Sequence, residues 1–91
     1  MKFEFTLFIL GQSVNSLRAM ENLNNFCKKH LINKSTIHIV DIAKEPQKAS
    51  EYNIIAIPTT LVRVNNSLEK KIIGTLNNLE QLLEVFELKP Q

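Results

Sequence analysis

Apolar residues recur at two different spacings in the first half of the chain. Residues 3–10 alternate apolar and polar side chains before the run becomes wholly apolar, which predicts a strand entering a core. Ser13 or Asn15 can then cap a helix that continues to about His30, with its apolar residues on one half of the helical wheel. Residues 36–42 predict a second strand that is largely apolar on both faces, as in a covered parallel sheet.

Strand, amphipathic helix and strand in this order predict a βαβ unit, whose right-handed crossover leaves the two strands parallel. The face of the helix that we expect to pack on the sheet is formed by Leu17, Ala19, Met20, Leu23, Phe26, Cys27 and Leu31.

Shorter elements and turn residues make up the second half. Pro46 suits the first turn of a short helix within residues 44–52. Residues 61–64 and 70–73 predict the two strands of a hairpin, which Gly74 ends.

The last apolar arc predicts a helix near the end of the chain. Asn77 or Asn78 can cap it, and the arc itself is formed by Leu76, Leu79, Leu82, Leu83, Val85 and Phe86. The complete order is βαβαββα, which predicts the α/β fold class. A chain of 91 residues buries too little surface to support two cores, so we expect one domain, residues 1–91.

Composition and charge exclude several classes of function. A formal net charge of +2 is too small for the strong field that non-specific binding to nucleic acid requires. The most apolar run, residues 3–10, falls well short of the ~20 residues that span a bilayer, so we expect no membrane segment and a cytoplasmic location. A single cysteine agrees with a reducing compartment.

The element order, with a proline just before the third strand, is similar to the thioredoxin fold. In that fold the equivalent proline lies on a cis peptide, and Pro58 is the candidate here. Redox members of the fold carry cysteine where the first strand turns into the first helix, because the helix N-terminus lowers the thiol pKa. Residues 11–16 contain no cysteine, so we expect no catalytic residue, no cofactor and no metal.

Four segments, in register, resemble motifs of the KaiB family of circadian-clock proteins. Residues 11–19 resemble the start of that family's first helix, and residues 40–47 resemble its I-D-V-x-K-x-P-Q. Residues 55–59 resemble its L-A-T-P-T, and residues 71–74 its R-I-I-G, which ends at Gly74. Together these matches cover most of the chain.

The resemblance implies a non-enzymatic protein that binds the ring of a KaiC-type ATPase and modulates its phosphorylation or ATPase state. It also implies homodimers or homotetramers, and two folds: a thioredoxin-like binding fold and an alternative tetrameric ground-state fold. Carried over residue by residue, the partner-binding candidates are Arg18, His38, Lys44 and Asn53.

Three departures from the family pattern concern the choice between the two folds. Val14 replaces a proline of the first-helix motif, and residues 65–67 replace a proline run in the hairpin. Val85 stands in place of the glycine of a G-L-D motif, and glycine costs a helix about 0.5 to 1 kcal/mol more than a good helix former. We therefore expect the thioredoxin-like form to be the resting state, with Val85 in a helix.

The chain offers few candidates for chemistry. Cys27 and His30 could form a redox sensor or half of a metal site, but Cys27 lies at the centre of the apolar arc, where a free cysteine packs as a small hydrophobe. Two alternatives to the clock function stay open. One is a thioredoxin-fold redox protein, which requires an exposed, low-pKa Cys27; the other is a stress-related or chaperone-like binding domain.

Overall fold

The computed structural model describes residues 2–65 and 68–81. Four strands and two helices follow one another within these ranges. In chain order they are β1 (Phe3–Ile9), α1 (Val14–His30), β2 (Ser35–Asp41), α2 (Gln47–Glu51), β3 (Thr59–Val64) and β4 (Leu68–Ile73). This order and the α/β class are those predicted, as far as the described residues extend. The predicted last helix, including Val85, lies outside them.

The four strands form one sheet in the order β2-β1-β3-β4. β1 is parallel to β2, with Phe3 opposite Ser35 and Ile9 opposite Asp41. β3 is antiparallel to β1 and to β4, so β1 and β3 are central and the sheet has an edge at β2 and another at β4.

Helix α1 covers one face of the sheet and forms the main core with it. Its buried apolar residues are Ala19, Leu23, Phe26 and Cys27, and they pack against Phe3, Phe5, Leu7, Ile9, Val62 and Val64. Leu76 and Leu79, which follow β4, are buried in the same cluster. The Asn22 amide of α1 also donates a hydrogen bond to the Thr75 carbonyl at 2.8 Å, which fixes this segment to the helix.

The opposite face of the sheet is covered near α2. Phe8 is fully buried there, and its ring centroid lies 5.3 Å from that of Tyr52, the residue that ends α2. The Ile57–Pro58 peptide bond is cis. The Pro58 carbonyl accepts a hydrogen bond from the Gly74 N–H at 2.9 Å, so the residues flanking β3 and β4 meet at this end of the hairpin.

Two predictions about burial are wrong. β2 is not covered on both sides, since it is an edge strand with His38 and Ile39 exposed. Leu17, expected in the packed arc of α1, is 48% exposed. Neither helix among the described residues is long and apolar enough to cross a membrane.

Candidate protein-binding surface

The corner between β1 and α1, residues 10–16, is where a redox protein of this fold would carry its thiol. Here it carries hydroxyl groups that are held in local hydrogen bonds. Ser13 caps the helix, its Oγ accepting a hydrogen bond from the Ser16 N–H at 3.3 Å. The Ser13 hydroxyl donates to Ser16 Oγ at 2.7 Å, and the Leu10 N–H donates to the same oxygen at 3.1 Å. The hydroxyl groups at this corner therefore have a structural role, which is to hold the start of α1 against the end of β1.

Asp41, the last residue of β2, links the β1–α1 corner to the sheet by hydrogen bonds. Its Oδ1 accepts hydrogen bonds from the Gly11 N–H at 2.9 Å and from the Ala43 N–H at 3.0 Å. The bond from Gly11 is the main cause that lowers the pKa of Asp41. Partial desolvation opposes the shift, whereas the bond from Ala43 and the positive charge of Lys44 add to it. These bonds from Gly11 and Ala43 to one carboxylate join the corner to the turn after β2.

Cys27 has none of the properties of a reactive thiol. It is only 6% exposed and lies in the core, which confirms the prediction that it packs. Burial raises the pKa of its thiol, and a hydrogen bond with Ser35 opposes that shift. Because the thiolate is the reactive form, a raised pKa disfavours redox chemistry at neutral pH.

His30 pairs with an acidic residue rather than with Cys27. Its Nε2 lies 3.1 Å from Glu80 Oε2, although the orientation does not make a hydrogen bond, and its ring packs on Phe26. In the part of the chain that the structure describes, no three His, Cys, Asp or Glu side chains are grouped so as to hold a metal ion.

All four residues predicted to face a partner are exposed, and they lie on four different segments of the chain. Lys44 lies in the turn after β2, where its charge acts on Asp41 and so places it beside the corner. Arg18 borders a shallow hollow at the start of α1, together with Val14, Leu17, Glu21, Asn22 and Asn77.

His38 and Asn53 lie on different elements, His38 on the edge strand β2 and Asn53 just after α2. Across the sheet, His38 of β2 pairs with Thr6 of β1, and Thr6 pairs with Leu61 of β3. Leu61 in turn pairs with Lys71 of β4. The Lys71 ammonium donates to the Asn53 carbonyl at 3.1 Å. Since neighbouring strands are about 4.8 Å apart, the backbones at Lys71 and His38 are about 14 Å apart across the sheet.

Sequence reasoning missed the apolar residues around this corner. Leu10 and Leu17 are about half exposed, and Val14 is 70% exposed at the first position of α1. An apolar residue at the first position of a helix, outside the packed arc, was the available signal. Exposed apolar side chains beside an exposed arginine are typical of surfaces that bind proteins.

Comparisons with known proteins give the family. The KaiB domain model matches residues 6–88. The circadian clock protein KaiB3 of Synechocystis sp. is 32% identical over 85 residues, which are 93% of this chain and 82% of that protein. The circadian clock oscillator protein KaiB of Thermosynechococcus vestitus is 38% identical over 82 residues, which are 90% of this chain and 75% of that protein.

Solved structures agree on the fold at low sequence identity. The N-terminal domain of Synechococcus elongatus SasA superposes with a TM-score of 0.77 at 14% identity, covering all of this chain and 89% of that one. Mitochondrial thioredoxin 3 of Saccharomyces cerevisiae superposes with a TM-score of 0.72 at 19% identity, covering 94% of this chain and 77% of that one. The scaffold is thus thioredoxin-like, and the chain belongs to the KaiB family.

Proposed function

We propose that this chain is a non-enzymatic protein that binds the ring of a KaiC-type ATPase and modulates its phosphorylation or ATPase state. The observation that carries the proposal is the corner at residues 10–16. A thioredoxin-like scaffold places its nucleophile there, whereas this chain has serine hydroxyls held in the helix cap. Relatives named as clock proteins support a function exercised through the surface.

The surface that we assign to the ATPase runs from the start of α1 to the turn after β2 and along β2. Its polar members are Arg18, Lys44 and His38, and its apolar members are Val14 and Leu17. Mixed apolar and basic composition is typical of protein interfaces. Asn53 follows α2, where its carbonyl accepts a hydrogen bond from Lys71 of β4, and it is the member of the predicted set with the weakest structural link to this surface.

Binding to a purified KaiC-type ATPase from the same cell tests the proposal. The full chain should bind the ring and change its rate of ATP hydrolysis. A variant with Arg18→Ala, His38→Ala, Lys44→Ala and Asn53→Gly should bind more than about tenfold more weakly, a loss of about 1.4 kcal/mol. Glycine is chosen at position 53 because Asn53 has a φ of 54°, which alanine adopts poorly.

The matched control removes two positive charges elsewhere. Lys28→Ala with Lys70→Ala changes the net charge as Arg18→Ala with Lys44→Ala does, at exposed positions on α1 and β4. The control should bind like the unmodified chain. Unchanged binding of the fourfold variant would mean that the surface is wrong, and no binding by the unmodified chain would mean that the function is wrong.

Thiol labelling separates the proposal from the redox alternative. Cys27 is buried and its thiol pKa is raised, so a maleimide should label the native protein far more slowly than the urea-unfolded protein. Labelling of the native protein as fast as that of a free thiol would favour a redox function instead.

A further inference from the structure

The positive charge of the chain is concentrated at one end of the molecule. Residues 22–40 contain Lys28, Lys29 and Lys34 and no aspartate or glutamate. Lys2 lies beside them, because the N–H of the residue that follows it donates to the Lys34 carbonyl at 2.8 Å. We call these four lysines the basic cluster. Lysine and arginine total 11 and aspartate and glutamate total 9, so outside the cluster the acidic residues outnumber the basic ones.

The charges of the basic cluster are not compensated by acidic side chains. None of the four lysines forms an ion pair within residues 2–65 and 68–81, and all four are exposed. Lys28 and Lys29 lie in the last turn of α1, where positive charge complements the helix dipole. Lys2 and Lys34 lie outside the helix, so the dipole does not account for the whole cluster. This end of the molecule therefore attracts anions.

An exposed isoleucine lies among these lysines. Ile32 is 66% exposed in the turn that connects α1 to β2, between Lys29 and Lys34 in the chain. Asn33 has a φ of 60°, a conformation that asparagine tolerates, and it lets the chain reverse directly after Ile32. Ile32 and Lys28 border the same surface groove. An apolar side chain among lysines matches the interface of an anionic bilayer, where ammonium groups meet the headgroups and apolar groups enter the acyl boundary.

We propose that the basic cluster and Ile32 form a surface that binds membranes rich in anionic phospholipids, peripherally and reversibly. The lysine ammonium groups contact the headgroup phosphates, and Ile32 enters the boundary between the headgroups and the acyl chains. Nucleic acid fits this surface less well. Residues 22–40 have no arginine to bind a phosphate bidentately, and their one phenylalanine, tyrosine or tryptophan, Phe26, is buried and unable to stack on a base.

The start of α1, which belongs to the surface assigned above to the ATPase, lies at the other end of the helix from the basic cluster. A helix of 17 residues is about 25 Å long, more than twice the Debye length of about 8 Å at physiological ionic strength. The charges at the two ends therefore act almost independently. Membrane binding can be tested without the ATPase, and its failure would leave the proposed function untouched.

Co-sedimentation of the purified full chain with lipid vesicles tests the proposal. At low salt the chain should sediment with vesicles of equal parts phosphatidylglycerol and phosphatidylcholine, and it should stay in the supernatant with phosphatidylcholine alone. High salt should release it. Inorganic phosphate should release no more chain than chloride does at equal ionic strength, which separates a bilayer from a site for free phosphate. Duplex DNA at the same phosphate concentration should bind more weakly than the anionic vesicles.

Two double variants of equal charge test the position of the surface. Lys28→Gln with Lys34→Gln should weaken vesicle binding by about fivefold for each lysine removed. Lys44→Gln with Lys48→Gln is the matched control, because both residues follow the far end of β2, and it should bind vesicles like the unmodified chain. No ATPase is present, so the role assigned to Lys44 does not enter. Circular dichroism checks that both variants are folded.

Tryptophan fluorescence tests the insertion of Ile32. The chain has no tryptophan, so in Ile32→Trp the introduced indole is the single reporter. Its emission should shift to shorter wavelength when vesicles containing phosphatidylglycerol are added. Ile73→Trp is the control, because Ile73 is 60% exposed at the opposite end of the sheet, and its emission should not shift. No binding to anionic vesicles, equal binding by the two double variants, an unshifted emission at position 32, or equally strong binding to duplex DNA would each overturn the proposal.

Discussion

The two ends of α1 are held to the sheet by different forces. The C-terminal half packs by burying apolar side chains, with Leu23, Phe26 and Cys27 almost inaccessible. The N-terminal end is held by polar contacts, namely the cap of Ser13 on Ser16 and the bond from Gly11 to Asp41. Because hydrogen bonds position this end, its apolar side chains do not need to pack inwards. They are available for contact with another protein.

The largest expected effect on stability comes from truncating a buried apolar side chain in the C-terminal half of α1. Leu23→Ala should lower the free energy of unfolding by about 2 to 5 kcal/mol, since it leaves a cavity in the core. Leu17→Ala, the same substitution at a half-exposed site of the same helix, should cost less than about 1 kcal/mol. Urea unfolding of both variants measures the difference. Equal losses would show that both ends of α1 depend on apolar packing.

Removing the buried hydroxyl at the polar end should have the next largest effect. Ser16→Ala leaves the Leu10 N–H without its acceptor and should cost about 1 to 3 kcal/mol. Ser13→Ala removes only the cap and should cost about 1 kcal/mol. A Ser16→Ala variant as stable as the unmodified chain would show that the hydrogen bonds of Ser16 do not stabilise the fold. Thermal and urea unfolding give the two values.

Asp41 should make the polar end sensitive to acid. The hydrogen bond from the Gly11 N–H holds its pKa in the folded chain below the ordinary value of an aspartate. Its contribution to stability is therefore present above that ordinary value and is lost as pH falls through the folded pKa. Asp41→Asn should therefore narrow the difference in unfolding free energy between pH 5 and more acidic conditions. An identical pH profile in the variant would mean that the bond to Gly11 does not contribute.

The smallest effect on stability should come from the exposed apolar residues. Val14→Ser with Leu17→Ser should change the free energy of unfolding by less than about 1 kcal/mol, because Val14 is 70% exposed and Leu17 about half exposed. The same variant should bind the ATPase ring several-fold more weakly. A large loss of stability with unchanged binding would assign these residues to the core instead.

Local pattern was sufficient for the elements that the structure describes and insufficient for which elements lie next to one another. The cap and the end of α1 follow from residues close in the chain. Ser13 was one of two predicted caps, and the end was predicted at about His30. The edge position of β2 was not, since a strand with Ile37, Ile39 and Val40 resembles a covered one until the strand order is known. Burial of Leu17 was overestimated because the helical wheel gives direction but not how far the sheet extends below.

The hydrogen bonds that hold the N-terminal end of α1 could not all be predicted from the sequence. The bond between Gly11 and Asp41 joins residues 30 apart in the chain, so no local pattern contains it. The four partner-facing candidates came from family resemblance and stay predictions, although each is exposed. The predicted helical state of Val85 stays a prediction as well.

The two glycines of the chain, Gly11 and Gly74, should differ sharply in the mutations they tolerate. An added Cβ would meet no atom within 4 Å at either site, so only backbone conformation decides. Gly11 has a φ of 55°, in a region that asparagine and aspartate also visit. Gly74 has a φ of 114°, which side-chain-bearing residues rarely adopt. When folded variants are selected from a saturation library, asparagine and aspartate should therefore be found besides glycine at position 11. At position 74 only glycine should be found.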